Sequence, residues 1–423
     1  MLEVSKIRDY KSEVELALDK RNLDANHDLE KVILLDETRR KTQTQLDNLL
    51  SESNRLSKEI GVLFQTGKQQ EANDLKTKTS EFKELTKELS EHLTKISSEL
   101  RETLLSIPNI PHRSVKKGFS AEDNEEVFQA GNIPVLPNNA LPHWDLAHKF
   151  NLIDFDLGNK ITGAGFPVYK GKGARLQRAL IAFFLDENTA AGYQEVQVPH
   201  LVNTDSAMGT GQLPDKEGQM YEATADELYL IPTAEVPITN IFRDVLLEAS
   251  DLPQALTGYT PCFRREAGSY GAHVRGLNRL HQFDKVEIVR VEHPDNSYAA
   301  LEEMVEHIKS ILKKLELPYR VLRLCGGDMG FTSALTYDFE VYSAAQERWL
   351  EISSVSNFET FQSNRLKLRF KNEDGKNQLA HTLNGSSLAL PRVLAALIEN
   401  NQTETGIKIP ESLVAYTGFA SIE

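Results

Sequence analysis

Cysteine is nearly missing from this chain: its 423 residues include only Cys262 and Cys325. That excludes a disulfide scaffold and a four-cysteine zinc site, and each thiol is expected to be a small buried hydrophobe. No apolar run is long enough to span a membrane. The first residues, MLEVSKIRDYKSEVELALDK, lack the apolar core of a signal peptide, so a cytoplasmic protein is expected. Internal repeats and low-complexity tracts are absent. Neither GxGxxG nor a P-loop precedes a helix, so the two commonest phosphate-cradling loops are missing and any nucleotide must sit on a sheet face. Basic charge is also short, with 48 Lys and Arg against 62 Asp and Glu and a net charge of −14. That balance weighs against nucleic-acid binding overall but says nothing about local patches.

The composition is otherwise ordinary, 40% hydrophobic and 26% charged, and the length suffices for two or three domains. A short helical lead-in, with Leu2, Val4, Ile7, Val14, Leu16 and Leu18, occupies residues 1 to about 26. From about Leu29 to Leu104 there is no proline and only Gly61 and Gly67. Leu49, Leu56 and Leu63 are seven apart, with Leu46 and Ile60 beside them. Leu75, Phe82, Leu89 and Ile96 repeat the spacing, flanked by Leu85, Leu93 and Leu100. GVLFQTGKQQ reads as the turn between two helices of about 35 residues, which predicts an antiparallel coiled-coil arm on the order of 50 Å long. By pattern alone such an arm is an oligomerisation or spacer element, and its mixed surface charges show no basic stripe. The prolines of SIPNIPHRSV then mark a domain boundary, and the acidic stretch up to Leu141 is expected to be irregular.

The chemistry concentrates between Tyr259 and Val291, YTPCFRREAGSYGAHVRGLNRLHQFDKVEIVRV. Tyr259–Glu266 and Arg279–Val291 read as antiparallel strands around a long glycine-containing loop, a length that suggests a binding loop. Alternation puts Arg264 with Glu266 on one face, and Arg279, Phe283 and Glu287 on one face of the returning strand, with His281 and Lys285 between them. A solvated face could carry these charges, but a phenylalanine among them suits a nucleotide better. Arginines fork onto phosphates, a ring stacks on a base and a carboxylate accepts from an amine.

Elsewhere, a helix from Gly173 to about Ala190 leads to a strand, YQEVQVP, ending at Pro199. Ser206–Leu213 suggests a flexible loop. Thr233-Ala234-Glu235 reads as a helix cap with an acidic first turn. An amphipathic helix is expected over Asn296–Leu315. In WLEISSVSNF, Glu351 and Ser354 form an oxygen pair suited to magnesium, or simply a polar strand end. HTLNGSSLALPRVLAALIENNQ reads as strand, turn and helix, with Arg392 at the helix start. Helices and antiparallel strands alternate irregularly after residue 140, which predicts an α+β fold. The role of IPESLVAYTGFASIE is not legible.

FRREAG followed by RGLNRLHQFDKVE closely resembles motif 2 of class II aminoacyl-tRNA synthetases in its seryl-tRNA synthetase form. Residues 173–199 resemble motif 1, which forms the dimer interface in that family, and 381–400 resemble motif 3, with Ser387 and Pro391 where many class II enzymes have glycine. GTGQLP…YLIPTAE and EISS match as well. The resemblance implies a tRNA-binding helical arm over 1–110, its hairpin at about 29–104, and an antiparallel-sheet catalytic domain over 111–423. It implies a homodimer, ATP with Mg²⁺ and no zinc, serine, and tRNA(Ser), with tRNA(Sec) as a further candidate acceptor. By the same resemblance Thr233, Ala234, Glu235, Glu287, Asn384 and Ser386 enclose serine. ATP falls to Arg264, Arg265, Glu266, Arg279, Leu280, Phe283, Glu351, Ile352, Ser353, Ser354 and Arg392, with Glu351 and Ser354 on the metal. Arg264, Glu266 and Arg392 carry the catalytic roles, while His273, His281 and His381 are structural or substrate-shaping. Two alternatives stand beside this reading: an adenylate-forming ligase that loads a carrier protein, and an inactive coiled-coil interaction protein.

Overall fold

The computed structural model describes residues 1–215, 218–266 and 275–423; His273 lies outside the described residues. Its contacts divide the chain into two compact units, residues 2–19 with 23–108, and residues 1, 20–22 and 109–423.

The first unit is helical: α1 (Val4–Asp9), α2 (Lys11–Asp19), α3 (Asn26–Gln65) and α4 (Gln69–Ser106). The helices α3 and α4, of 40 and 38 residues, exceed the expected length because α3 runs through Gly61. The reversal falls at Thr66–Lys68, where Gly67 takes φ +78°, a left-handed value that glycine adopts freely. An ion pair between Lys31 and Glu99 at 3.0 Å ties the start of α3 to the end of α4, as an antiparallel hairpin requires. Leu85, expected beside the seam, is 45% exposed. The alternating four-three spacing of Leu75, Phe82, Leu89 and Ile96 passes through Thr79 and Thr86 instead. Their hydroxyls donate back to the Leu75 and Phe82 carbonyls at 2.9 and 2.7 Å, so neither enters the seam unsatisfied. Asp36 is buried in the same unit, and its charge is met by Arg8, Arg39 and Arg40 at 3.3, 2.7 and 3.1 Å.

The second unit is built on an eight-stranded sheet. In chain order its strands are β1 (Glu125–Ala130), β2 (Gln194–Glu195), β3 (Gln254–Phe263), β4 (Gln282–Glu292), β5 (Tyr319–Arg323), β6 (Leu335–Ser343), β7 (Arg348–Asn357) and β8 (His381–Ala389). They lie in the order β1-β5-β6-β7-β8-β4-β3-β2, antiparallel throughout except for the β2–β3 pair. The helices are α5 (His143–Lys149), α6 (Phe155–Ile161), α7 (Gly171–Ala190), α8 (Thr204–Thr210), α9 (Glu235–Asn240), α10 (Ser297–Lys314), α11 (Phe361–Leu366), α12 (Leu390–Asn400) and α13 (Glu411–Thr417). The fold is α+β, as expected. The amphipathic α10 buries Leu301, Met304, Ile308 and Ile311 with Leu394 and Leu397 of α12 in the main core, where Val286 and Ile288 of β4 also point. Among the described residues, no helix is long and apolar enough to cross a membrane.

Four local expectations change. The stretch before Leu141 supplies edge strand β1, because Glu125 and Glu126 find Arg323 and Arg320 on β5. The strand expected to end at Pro199 shrinks to β2, since only Gln194 and Glu195 run in register with β3. Ser206–Leu213 is largely helical: the Asn203 side chain caps α8 by accepting from the Ser206 N–H at 2.9 Å, and Gly211 (φ +97°) ends it. No turn interrupts β8 before α12. Gly385 lies between Val355 and Ile288 of the flanking strands, so its missing side chain saves space within the sheet.

The unassigned tail packs on α7. Arg175 Nε donates to the Thr417 carbonyl at 3.0 Å, Tyr416 donates its hydroxyl to Asp186 at 2.8 Å, and the Tyr416 and Phe183 rings meet edge to face.

Candidate active site

Pairing of β4 with β3 sets Phe283 opposite Cys262, Lys285 opposite Thr260 and Glu287 opposite Gly258. Alternation therefore places Phe283, Lys285 and Glu287 on the face opposite Val286 and Ile288, which enter the main core, while the half-buried Phe283 also packs against that core. A cleft of about 790 Å³ opens on that face, within the range of small-molecule sites. Its walls include Thr233, Glu235, Arg264, Glu266, Arg279, Leu280, Phe283 and Glu287, with Glu351, Ile352, Ser353, Ser354, Asn384, Ser386 and Arg392. Two expected residues are not on the walls. Ala234 is buried in a satellite core with Ile238 and Phe242, and Arg265 is exposed, held by its backbone N–H on the Gln219 carbonyl at 2.9 Å.

The arginine and glutamate of the RxE run do not stand on a strand, contrary to the sequence reading. β3 stops at Phe263 and β4 starts at Gln282, so Arg264, Glu266 and Arg279 lie on the legs of the connection. Backbone bonds set them instead. The Arg264 N–H donates to the His281 carbonyl at 2.9 Å, and its guanidinium lies 5.2 Å from the Phe283 ring centroid, a cation–π contact. Glu266 adopts a left-handed φ of +49° and ion-pairs with Arg279 across the two legs. His281 is structural here, stacked on Phe166 and bonded to the Tyr221 hydroxyl at 3.0 Å. His381 likewise bonds Ser297 at 2.7 Å.

The deep end of the cleft is acidic. Glu287 takes the Lys285 ammonium at 2.7 Å and the Thr233 hydroxyl at 3.1 Å. Glu235 accepts from Gln362 Nε2 at 2.6 Å, and Gln362 Oε1 in turn accepts from Thr382 at 2.8 Å. Burial, and next the Glu287 charge, push the Glu235 carboxyl up to about 7, while Gln362, Lys285 and Asn384 pull the other way. Lys285 and Gln362 were missing from the expected site. The first was legible, since it shares the two-residue spacing of Phe283 and Glu287. The second carries no local signal and reaches Glu235 only through the tertiary fold.

Behind this pocket Asn188 of α7, wholly buried, donates to Thr257 Oγ1 at 2.9 Å and accepts from Ser387 Oγ at 2.7 Å. Thr257 donates to the Glu287 carbonyl at 2.9 Å, which ties α7 to β3 and to β4, the strand that carries Glu287.

At the open end Arg392 Nη1 donates to the Glu351 carbonyl at 2.8 Å and lies 3.6 Å from the Glu351 carboxylate. Ser354 donates to Asp338 of β6 at 2.6 Å. Burial, and next the Glu351 charge, hold the Asp338 carboxyl well above the usual range. Ser353 donates to the Ser386 carbonyl at 2.6 Å, which stitches β7 to β8. Glu351 and Ser354 offer hard oxygen donors that fit Mg²⁺ rather than a soft-ligand metal. Among the described residues, no group of three or more His, Cys, Asp or Glu is placed to hold a metal, so an ion here would draw further ligands from a substrate or water.

Comparison with known proteins agrees with this geometry. Residues 1–111 match the seryl-tRNA synthetase N-terminal domain, and residues 219–401 match the tRNA synthetase class II core domain (G, H, P, S and T). The chain is 51% identical to the serine–tRNA ligase of Salinibacter ruber over 424 aligned positions, covering 100% of this chain and 99% of that protein. Its fold is similar to the crystal structure of seryl-tRNA synthetase from Pyrococcus horikoshii complexed with ATP, with TM-score 0.92, 31% identity and coverage of 100% and 99%. It is also similar to cytoplasmic serine–tRNA ligase from Naegleria fowleri in complex with AMP, with TM-score 0.87, 27% identity and the same coverage. The carrier-protein ligase and the inactive interaction protein find no support in these full-length matches. The arm, the antiparallel sheet and the acidic cleft thus have one common account: the chain belongs to the seryl-tRNA synthetase family, the serine–tRNA ligases of class II.

Proposed function

We propose that this cleft activates serine with ATP and passes the seryl group to tRNA(Ser), with tRNA(Sec) as a further candidate acceptor. A serine carboxylate oxygen attacks the α-phosphorus, the bond to the β-phosphate oxygen breaks, and seryl-adenylate and pyrophosphate form. A hydroxyl of the terminal tRNA adenosine then attacks the seryl carbonyl carbon, and AMP leaves. The observation that carries this reading is the arrangement of Arg264 over Phe283 at one end of a cleft whose other end holds Glu235, Lys285 and Glu287.

Positioning and electrostatics dominate such transfers, so no covalent nucleophile is needed. Arg264 holds the α-phosphate and its developing charge. Phe283 and Arg392 flank the adenine, Glu266 accepts from its amino group, and Arg279 reaches the outer phosphates. Thr233, Glu235, Glu287, Asn384 and Ser386 enclose serine, with Glu235 on the ammonium. Glu351 and Ser354 would hold Mg²⁺, which when bound supplies neutralisation of phosphate charge. Hydrogen bonding to the substrate hydroxyl rejects alanine by roughly 10⁴-fold or more.

We assign residues 1–110 to tRNA binding and 111–423 to catalysis, a division supported by the two compact units and the two matched families. A cytoplasmic homodimer built through residues 173–199 completes the reading. Pyrophosphate exchange with each amino acid, followed by charging of total tRNA, tests it. Exchange with serine alone and charging of tRNA(Ser) is the expected result; exchange with another amino acid, or charging of no tRNA, would overturn it.

A further inference from the structure

His143 opens α5 and Glu399 lies near the end of α12, and both are wholly buried. Glu399 Oε1 accepts from the His143 backbone N–H and from its imidazole Nδ1, each at 2.7 Å. The opposite ring nitrogen, Nε2, accepts from the Leu277 backbone N–H at 2.8 Å. The two contacts fix the tautomer, with the proton on Nδ1 and a lone pair on Nε2. The approach is close: Gly276 (φ +67°) passes the ring so nearly that a Cβ there would fall 2.2 Å from Nε2.

The contacts continue into the cleft. Gln346 Nε2 donates to Glu399 at 3.0 Å, and Gln346 Oε1 accepts from Asn278 Nδ2 at 3.0 Å. The Asn278 carbonyl then accepts from Arg392 Nε at 3.0 Å. One buried pair thereby fixes the leg that carries Arg279 and, through Asn278, the guanidinium of Arg392.

We propose that His143 and Glu399 are positioning residues for the nucleotide half of the site, a reading that rests on ATP occupying this cleft. They touch no substrate. They hold the 276–279 leg so that Arg279 and Arg392 stand ready for the nucleotide, and they leave the serine pocket, built on other residues, unaffected. Preorganisation of this kind is lost when a supporting contact goes, even though the arginines remain.

The test uses the full-length protein and two substitutions of His143. His143→Asn keeps a donor near Nδ1 for Glu399 but cannot reach Leu277, whereas His143→Gln places an acceptor near Nε2. We expect His143→Asn to raise the ATP KM in serine-dependent exchange about tenfold, the loss of roughly one hydrogen bond. The serine KM should stay within twofold, and His143→Gln should recover most of the ATP affinity. The Leu277 amide should exchange faster with solvent in His143→Asn than in His143→Gln. A purely structural role would lower activity with both substrates together and show no recovery in His143→Gln; that pattern, or an ATP KM unchanged in folded His143→Asn, would overturn the inference. If His143→Asn does not fold, Gln346→Leu carries the test, because it severs Glu399 from Asn278 while leaving the His143 bonds to Glu399 and Leu277 in place, and the same selective rise in ATP KM is expected. Arg392→Ala separates the two levels. If it leaves the ATP KM unchanged, the assignment of the cleft to ATP fails; if it raises the KM while the His143 and Gln346 variants do not, only the positioning role fails.

Discussion

The Lys285 ammonium sits 2.7 Å from the Glu287 carboxylate, with the two side chains 7% and 1% exposed. Glu235, buried beside them on the cleft wall, feels the same Glu287 charge. Two buried carboxylates thus share one buried cation, and a substrate ammonium would bring the group to neutrality. Lys285→Met should therefore destabilise the protein, by roughly 3–5 kcal/mol as for other broken buried pairs, and raise the serine KM far more than the ATP KM. Denaturant melts and exchange kinetics measure both. An unchanged midpoint with equal effects on the two KM values would take Lys285 out of the serine pocket.

The raised Glu235 carboxyl sets a pH dependence of known sign. Its ordinary value is 4.5 and its value in the fold about 7, so the folded state holds more protons than the unfolded chain between those limits. Stability from this group is complete below pH 4.5 and is lost as pH rises through about 7. The difference, 7 − 4.5 = 2.5 units, corresponds to roughly 3 kcal/mol. Glu235→Gln should be more stable than the parent at about pH 8 by an amount of that order, while losing serine affinity. Because an ammonium needs the carboxylate form, kcat/KM for serine should fall about tenfold per unit below pH 7. Gln362→Leu, which removes the donor to Glu235, should move that profile to higher pH. A flat profile across neutrality would place amino-group recognition elsewhere.

Arg264→Ala should nearly abolish serine-dependent exchange. Its guanidinium sits over Phe283 at the cleft wall, outside the core clusters, so the fold should survive. Loss of one preorganised charged donor costs roughly 3 kcal/mol or more in the transition state. Parent-like exchange rates in folded Arg264→Ala would move the α-phosphate to another residue.

Deleting about residues 29–104 behind a short linker should spare adenylate formation and collapse tRNA charging. The antiparallel run of α3 and α4 brings the cut ends together within the arm's own base, and no residue assigned to ATP or serine lies in the deleted stretch. Binding of tRNA by the intact protein should weaken steeply with salt, as phosphate contacts do. Unchanged charging would reduce the arm to a spacer, and loss of exchange in a well-folded deletion would make it part of the catalytic machinery.

What the sequence disclosed followed physical period. A two-residue period carried Phe283 and Glu287 to one face, and a seven-residue period carried the arm. Both fail where the chain leaves regular structure. Arg264 and Glu266 read as strand residues in the sequence, because nothing local marks the end of β3 at Phe263. Helix α8 escaped because Gly209 and Gly211 look like loop composition, whereas the Asn203 cap decides the matter. Gln362 and Glu235 are 127 residues apart, and His143 and Glu399 are 256 apart, so no window along the chain could pair them.

The packing of Tyr416 on Asp186 joins residues 230 apart in sequence, and that separation has a consequence in time. At 5–20 residues per second, synthesis leaves α7 without α13 for roughly 10–50 s. During that interval the aromatic flank of α7 at Phe183 stays uncovered, and Arg175 and Asp186 lack their partners in the tail. A nascent chain therefore completes the packing on this flank of α7 only once residues 411–417 have emerged. A premature stop just before them would remove no proposed substrate contact and still leave the Phe183 and Asp186 flank of α7 without its cover.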